Sequence, residues 1–449
     1  MNIAVIGGGW AGLSAAVRLR QYGFSVTVFE AARTLGGRAR RVESPALGAA
    51  MDNGQHILLG AYTETLALMR ELGLDTAALL HRQRLAMQSA DGGFDLRACA
   101  LPAPLHLLGA IVGARGLGIA ERLRMIAITQ GLKRRKWLTA PGLTVAQWLA
   151  QGRQSPLAVR MFWQPLCLAA LNTPPDQACA QLFAGVLRDS LGGPRDACDV
   201  LIPRVDLSQL WPDQVERYAP AHAAGRLCLR RGHAVRHLAA TSSGVELDGK
   251  AFDAVVVAGN APAAHRLLRQ LPPSEAGARY LAMLAAFEYL PIATLTLQLE
   301  RPWRLPQPML LLRDDPGRMQ FGQWLFDRSA LPPGAPDCLV HIVISDARAM
   351  MALPREDAIA ATIAQAREQS RRLGAMPRVL NQDIIVEKRA TFAAVPGLQR
   401  PANGTPWPRV WAAGDWTDTG YPAVLEGAVR SGRDAARAIQ RASRQPAPA

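Results

Sequence analysis

The first residues of the chain carry the feature that most restricts its fold, an apolar strand that runs directly into a glycine-rich turn. Residues 3–6 are apolar, and Gly7, Gly9 and Gly12 follow with the spacing Gly-x-Gly-x-x-Gly. Glycines at this spacing allow a tight strand-to-helix turn and a close approach of the backbone to a pyrophosphate, which the helix N-terminus attracts. The sequence therefore predicts an α/β chain that opens on a Rossmann-type dinucleotide-binding unit.

The following residues supply the rest of a βαβ unit. A helix over 13–22 stops at Gly23. A second apolar strand over 25–29 then closes on Glu30, and an acid at this position accepts hydrogen bonds from an adenosine ribose. The predicted cofactor contacts in this unit are Gly7, Gly9, Trp10, Ala11, Gly12, Glu30 and Ala31.

A second motif, Arg33-x-x-Gly36-Gly37-Arg38, follows directly. Together the two motifs resemble the FAD-binding opening of the amine oxidase and phytoene desaturase superfamily. The resemblance implies that FAD is the cofactor and that Gly37, Arg38 and, much further along, Val235 contact it. We expect FAD to be non-covalent because no cysteine lies near 390–420.

Two later apolar strands are predicted to join the same sheet, because buried parallel strands read as continuous apolar runs. They cover 253–260 and 409–415, and a helix over 424–439 follows the second. This last region is similar to the C-terminal FAD motif of the superfamily. In that motif an acid reaches the ribitol or pyrophosphate, and the helix N-terminus stabilises the negative charge of reduced flavin. The predicted contacts here are Gly414, Asp415, Glu426 and Gly427.

The length of 449 residues exceeds that of one hydrophobic core, so we expect two domains. Because the predicted strands are spread along the chain, we expect a Rossmann-type FAD-binding domain interleaved with an α+β substrate-binding domain, in the amine oxidase/GDI-like fold. The FAD-binding domain is predicted over 1–75, 220–270 and 385–449, and the substrate-binding domain over 76–219 and 271–384.

The composition narrows the function classes. The formal net charge of +15 comes from arginines scattered along the chain without a nucleic-acid-binding pattern, so we expect no nucleic acid partner. The six cysteines lack CxxC spacing and histidine partners, so we expect reduced core residues rather than disulfides or a metal site. No secretory signal precedes the first strand, which predicts a cytoplasmic protein.

Residues 104–137 are the most unusual part of the remaining sequence. Apolar residues at helical spacing lead to a basic cluster at 133–136 beside Trp137, and no uncharged run reaches the ~20 residues of a bilayer span. Two interpretations stay open. Helices near 105–137 lie peripherally on an anionic membrane surface, at the inner face of the cell membrane, or they are core helices with a solvated charged end.

Three longer stretches narrow the family. They cover 52–62, 162–174 and 413–422 and read DNGQHILLGAY, FWQPLCLAALNTP and AGDWTDTGYP. With the opening motifs, they look like the squalene-associated FAD-dependent desaturases, the hydroxysqualene dehydroxylase family of squalene and hopanoid synthesis. The resemblance implies reductive removal of an allylic hydroxyl, in which hydroxysqualene and reduced FAD give squalene, water and oxidised FAD. Tyr421 departs from the small or aliphatic residue of the family.

Candidate catalytic and substrate residues come from these stretches. His56 follows a glycine turn, and we predict that it donates a proton to the leaving hydroxyl, with Gln55 orienting it or the substrate. The alternative is that His56 has a purely structural role. Apolar residues are predicted to line a cavity for a long-chain isoprenoid, although a plain core would contain the same residues. The predicted substrate contacts are Phe162, Trp163, Leu166 and Tyr421.

Related activities remain as alternatives. An amine oxidase is disfavoured because the resemblance calls for a lysine near the flavin, and none lies between Lys250 and Lys388. A carotenoid or isoprenoid desaturase shares the expected pocket, and the sequence leaves the direction of hydride transfer open. A non-enzymatic prenyl-lipid escort protein of GDI-like fold is disfavoured by the intact FAD motifs. No second glycine motif follows another strand, so we expect no nicotinamide domain, and electrons enter or leave the flavin through the substrate, oxygen or an external electron donor.

Overall fold

The computed structural model describes residues 1–218, 225–327, 329, 331 and 338–444. The strands are β1 (Asn2–Ile6), β2 (Ser25–Glu30), β3 (Arg41–Ser44), β4 (Ala49–Asp52), β5 (Leu58–Leu59), β6 (Leu80–Gln83), β7 (Ala86–Gln88), β8 (Asp95–Arg97), β9 (Val200–Pro203), β10 (Leu227–Arg231), β11 (Leu238–Ala240), β12 (Val245–Leu247), β13 (Lys250–Phe252), β14 (Ala254–Val257), β15 (Tyr289–Leu299), β16 (Met309–Leu311), β17 (Trp324–Asp327), β18 (Leu339–Ser345), β19 (Val379–Phe392) and β20 (Val410–Ala412).

The α-helices are interspersed among these strands. They are α1 (Trp10–Gln21), α2 (Thr63–Glu71), α3 (Thr76–Leu79), α4 (Leu105–Val112), α5 (Ile119–Arg134), α6 (Val145–Gln151), α7 (Pro156–Ala158), α8 (Gln164–Leu171), α9 (Ala180–Ser190), α10 (Leu207–Leu210), α11 (Ala261–Leu268), α12 (Glu275–Ala285), α13 (Arg348–Met351), α14 (Arg355–Gln369) and α15 (Leu425–Arg444).

A five-stranded sheet with the order β10-β2-β1-β14-β20 joins segments that are far apart in sequence, and all its strand pairs are parallel. The predicted strands at 3–6, 25–29, 253–260 and 409–415 all contribute to it. Their carboxyl ends therefore meet at one edge, where ligands of open parallel sheets bind. The predicted α/β fold with a Rossmann-type sheet is confirmed.

The first and last helices pack closely against each other beside this sheet. A Cβ atom on Gly432 would lie only 2.1 Å from the carbonyl oxygen of Ala11, so α15 and α1 approach backbone to backbone. Small residues such as Ala15 and Ala436 fill the contact. Helix α1 begins at Trp10 rather than at the predicted residue 13, because the glycine turn leads directly into its first turn.

A second five-stranded sheet, with the order β16-β17-β18-β15-β19, is antiparallel and has two distinct faces. Helix α14 covers one face. The other face belongs to the largest hydrophobic core. This core also contains Phe162 and Trp163 of the helical region, residues 105–190. The residues packed toward α14 are Ala293, Leu295, Leu297, Leu310, Leu325, Ile342 and Ile344.

A small sheet, β5-β9-β6, pairs strands from both predicted domains. The boundary predicted at 385 falls inside β19, and residue 220 and the end of the chain at 445–449 lie outside the described residues. The division into two interleaved domains stays a prediction.

The region 104–137 forms two helices, α4 and α5, rather than one continuous segment. Ala110, Met125 and Leu132 point into the largest core, whereas other apolar side chains of both helices stay exposed. Among the described residues, no helix combines the length and apolar character needed to cross a bilayer.

All six cysteines are free thiols, but their burial differs. Cys167 and Cys198 are buried, whereas the other four are partly exposed. The expectation that all six lie in the core is therefore wrong for four of them, because an apolar residue type does not by itself dictate burial. Within the described ranges, no group of three or more His, Cys, Asp or Glu side chains is arranged to hold a metal ion.

Candidate cofactor and substrate site

The glycine turn after β1 has room for backbone alone at two of its three glycines. Gly7 adopts φ +114°, and a Cβ atom there would lie 2.7 Å from the Ala258 carbonyl oxygen. A Cβ atom on Gly12 would lie 1.9 Å from the Gly7 carbonyl oxygen. Both glycines are required for the strand and helix to pack, whereas a Cβ atom on Gly9 would meet only Gly37 Cα, at 3.8 Å. The space in front of Gly9 is therefore an opening.

The second glycine motif lies against the first. Gly36 N donates to the Gly8 carbonyl oxygen at 2.9 Å, and Gly9 and Gly36 form a β-bridge. Gly37 has φ +64°. Gly9 is also the N-cap of α1 and supplies no capping side chain, so the N–H groups of the first turn face the opening. Backbone donors at a helix N-terminus fit a pyrophosphate, as FAD requires.

The glycine turn and the second glycine motif, residues 7–12 and 36–38, together form a backbone cradle for the cofactor. Glu30 lies at the end of β2, beside this cradle. Its two carboxylate oxygens accept hydrogen bonds from Gly8 N at 2.6 Å and from Ala32 N at 2.7 Å. The Glu30 carbonyl oxygen accepts from His233 N at 2.8 Å, which brings the segment before the buried Val235 to the same edge. The chain two residues before Val235 is thus bonded to Glu30, and each carboxylate oxygen of Glu30 keeps a lone pair for a ligand hydroxyl.

The residues that flank the glycines have mainly structural contacts. Trp10 donates its indole N–H to the Ala39 carbonyl oxygen at 3.2 Å and packs edge-on against Trp211. Ala11 is buried in the contact with α15, and Ala31 is exposed. That Trp10, Ala11 and Ala31 contact the cofactor through their backbone groups stays a prediction.

Arg38 and Asp415 form an ion pair between the opening motif and the C-terminal motif. Arg38 Nη2 and Asp415 Oδ2 are 2.6 Å apart, and Arg38 Nη1 donates to the Ala390 carbonyl oxygen at 2.6 Å. Burial lowers the pKa of Arg38, but the Asp415 carboxylate more than offsets this and holds that pKa above its ordinary value. The pair joins residues 377 positions apart, and Gly414 precedes it at the end of β20.

Arg400 organises the loop between β20 and α15, a role that no sequence motif predicted. Its guanidinium donates to the carbonyl oxygens of Asp415, at 2.6 Å, and of Thr417 and Tyr421, and it lies over the Phe392 ring. Burial lowers the pKa of Arg400 to about 10. Nothing in the sequence distinguishes this arginine from the many others of a basic chain.

Glu426 is fully buried at the start of α15 and binds the N-terminus of α2. Its carboxylate accepts from Glu64 N and Thr65 N, both at 3.0 Å, and from Arg430 Nε at 2.8 Å. These bonds cap α2, a structural role that no sequence motif predicted. The predicted contact of Glu426 with the cofactor remains untested, as does that of Gly427, whose Cβ would lie 3.3 Å from Tyr421 Cβ.

Tyr421 connects the cofactor loop to the helical region. Its hydroxyl donates to Asp189 Oδ2 at 2.5 Å, at the end of α9, and Arg430 lies over its ring at 4.8 Å. Burial raises the pKa of Tyr421, so the hydroxyl stays protonated and remains a donor. Asp189 holds the Tyr421 side chain in place. The contact of Tyr421 with substrate stays a prediction.

His56 and Gln55 lie between the cradle and the antiparallel sheet. Asn53 Nδ2 donates to the Arg38 carbonyl oxygen at 3.0 Å, and Gln55 N donates to Thr294 Oγ1 at 3.3 Å. The His56 Nδ1 atom is 2.7 Å from the Gly54 carbonyl oxygen, so Nδ1 carries a proton. Burial lowers the pKa of His56. The Gln55 side chain donates to the His56 carbonyl oxygen at 3.1 Å, and its role in orienting the imidazole or the substrate stays a prediction.

The predicted substrate residues Phe162 and Trp163 end a π-helical turn before α8. Both are buried, and the Trp163 indole donates to Gln154 Oε1 at 2.9 Å within a cluster of aromatic rings. Leu166 is partly buried against the same core. The structure brings the three residues together, and their contact with substrate stays a prediction.

The flavin containing amine oxidoreductase family matches residues 10–440 of this chain. Cyclohexylamine oxidase from Brevibacterium oxydans IH-35A has a similar fold, with a TM-score of 0.68 and 18% identity over 99% of both chains. A hydroxysqualene dehydroxylase from Rhodopseudomonas palustris is 31% identical and covers 99% of each chain. A zeta-carotene desaturase from Solanum lycopersicum is 23% identical and matches 38% of this chain and 31% of its own.

The chain therefore belongs to the flavin containing amine oxidoreductase family, and FAD is its cofactor. Its glycine cradle and the Arg38–Asp415 pair fit that cofactor, and the predicted FAD-dependent oxidoreductase is confirmed. The resemblance to the hydroxysqualene dehydroxylases is also confirmed, because it extends over nearly the whole chain.

Proposed function

We propose that this protein catalyses the FAD-dependent reductive dehydroxylation of hydroxysqualene to squalene. The observation that carries the proposal is the position of segment 53–56, which binds the cradle at Arg38 and the antiparallel sheet at Thr294. An ionisable imidazole thus lies where the cofactor site meets an apolar core. The full-length similarity to a hydroxysqualene dehydroxylase supports the substrate, whereas the desaturase match is partial.

The chemistry needs one proton and one hydride. Bound reduced FAD supplies the hydride and a proton overall, so that an allylic alcohol becomes a hydrocarbon and water. We propose that His56 delivers the proton to the hydroxyl oxygen from Nε2, since Nδ1 is held by Gly54. Protonation turns a poor leaving group into water, and the surrounding apolar core keeps bulk water from the allylic cation.

The test is an anaerobic reaction of the dithionite-reduced, FAD-loaded protein with hydroxysqualene, followed by mass spectrometry of the extracted lipid. We expect one squalene per flavin, with reoxidation of the flavin absorbance in the same reaction. Unchanged hydroxysqualene and reduced flavin would rule the activity out. Incubation of the oxidised protein with a carotenoid precursor tests the desaturase alternative, for which new double bonds are the expected product.

We also propose that helices α4 and α5 bind an anionic membrane surface. Exposed large apolar side chains concentrate in this region, and Ile119 is 75% exposed. The basic cluster at 133–136 lies at the end of α5. Apolar side chains beside basic residues suit a helix pair lying in a lipid interface. The exposed apolar residues of this surface are Leu101, Leu105, Leu108, Val112, Ile119, Leu123 and Leu138.

Charge reversal of Lys133, Arg134, Arg135 and Lys136 should weaken binding to vesicles of anionic lipid by up to ~1 kcal/mol per residue, more at low salt than at high. Co-sedimentation measures this binding. A matched control reverses Arg266 and Arg269, which are exposed on and after α11. Equal sedimentation of both variants and the parent protein would contradict the proposal.

A further inference from the structure

One face of the antiparallel sheet carries buried polar side chains to which the proposed reaction assigns no role. Thr294 and Thr296 lie on β15, and His341 lies on β18; all three are buried. Thr296 and His341 are cross-strand partners, with Thr296 Oγ1 and His341 Nδ1 2.9 Å apart. We call these three residues the Thr–His strip.

The strip occupies only the face that is turned away from α14. Side chains alternate along a strand, and the neighbouring positions Ala293, Leu295 and Ile342 pack toward α14. The face of the strip shares the core of Phe162 and Trp163 instead. Threonine favours β-strands, but this propensity does not determine which face of the sheet the side chain occupies. Burying the polar hydroxyl is costly unless it is hydrogen-bonded.

One end of the strip touches the segment proposed to carry the proton donor. Thr294 Oγ1 accepts a hydrogen bond from Gln55 N at 3.3 Å, and a Cβ atom on Gly54 would lie 3.6 Å from the same oxygen. A hydroxyl that accepts one bond keeps its O–H to donate. The cross-strand neighbours of Thr294 on this face are the apolar residues Val343 and Ile385, and Phe326 lies beside His341. Opposite Thr296, β19 places Asp383.

We infer that the Thr–His strip recognises the hydroxyl group of the substrate and thereby separates substrate from product. This inference rests on the proposed function. Thr294 donates to the hydroxyl oxygen of the isoprenoid, and the Thr296–His341 pair keeps the adjacent position polar for the water that leaves. A hydrocarbon product offers no oxygen to the Thr294 hydroxyl, and a site built to hydrogen-bond a hydroxyl disfavours an analogue that lacks it.

The test compares binding of hydroxysqualene and squalene to the oxidised, FAD-loaded protein, measured by the change in flavin absorbance. We expect Thr294→Val to weaken hydroxysqualene binding by about tenfold and to leave squalene binding unchanged, because a buried donor is replaced by a methyl group of the same shape. Thr294→Ser should restore the preference. The matched control is Thr362→Val, a buried threonine on α14 whose hydroxyl bonds within its own helix.

The second variant, Thr296→Val, removes the hydrogen bond between Thr296 and His341 and should lower the same preference by about threefold. It decides the question if Thr294→Val loses its flavin. The inference would be overturned if the ratio of hydroxysqualene affinity to squalene affinity stays at the parent value in the folded variants. If the parent protein itself makes no squalene, the proposed function fails. If it makes squalene while the ratio is insensitive to the strip, the strip alone is wrong.

Discussion

The cofactor cradle and the substrate side of this protein are built in different ways. At Gly7 and Gly12 the cradle has no space for a Cβ atom, so its shape comes from backbone. On the substrate side, the side chains of Thr294 and Tyr421 each bond to a distant segment, and the His56 side chain bonds to Gly54, two residues before it. The difference teaches that substitutions in the cradle should act through occlusion, whereas those on the substrate side should change rates and affinities with the flavin retained.

The largest expected effect concerns the opening in front of Gly9. Gly9→Val places a branched side chain where only Gly37 Cα lies nearby, at 3.8 Å, so the chain should fold while FAD affinity falls at least ~100-fold. Flavin absorbance of the purified protein and its thermal unfolding measure the two effects. The control Gly131→Ala adds a methyl on α5 where nothing lies within 4 Å. A fully yellow Gly9→Val protein would refute the cradle.

Removal of the imidazole tests the substrate side of the comparison. His56→Ala should slow single-turnover reoxidation of the bound reduced flavin by hydroxysqualene about 100-fold, because the leaving hydroxyl loses its acid. The flavin content should stay at the parent value. His265→Ala on α11 is the matched histidine control. Reoxidation at the parent rate would show that the proton donor is another residue or water.

The pH dependence of the same reaction follows from the pKa of His56. Burial lowers this pKa below the ordinary 6.5, so the imidazole is mostly neutral at pH 7 and the acid form increases as the pH falls. The single-turnover rate of the parent protein should therefore fall about tenfold per pH unit above that pKa. The His56→Ala profile should be flat. A parent rate that rises with pH contradicts a cationic His56 as the acid.

The smallest expected effect is at the link between the two regions. Tyr421→Phe removes the bond from the hydroxyl to Asp189 and should lower the free energy of unfolding by ~1–2 kcal/mol, since the acceptor is charged. Flavin content should not change. Denaturant unfolding measures the loss, and Asp189→Asn is the reciprocal variant. A Tyr421→Phe protein as stable as the parent would show that this bond does not hold the two regions together.

The sequence by itself determined the cofactor half. Glycine spacing, the acid at Glu30 and the apolar strands are local features, and each predicts its own turn or strand without knowledge of distant residues. The family motifs carried the assignment of FAD for the same reason. The sequence also predicted that the later apolar strands join the first sheet, whereas the order of the strands came from the structure.

Only the tertiary structure decided which side chains meet. Arg400 binds a loop beyond it in sequence, Glu426 caps a helix 361 residues before it, and Tyr421 reaches Asp189 over 232 residues. The face chosen by Thr294 likewise depends on how β15 pairs with its neighbours. These contacts depend on packing between segments, and no local pattern of residues records which segments will pack together.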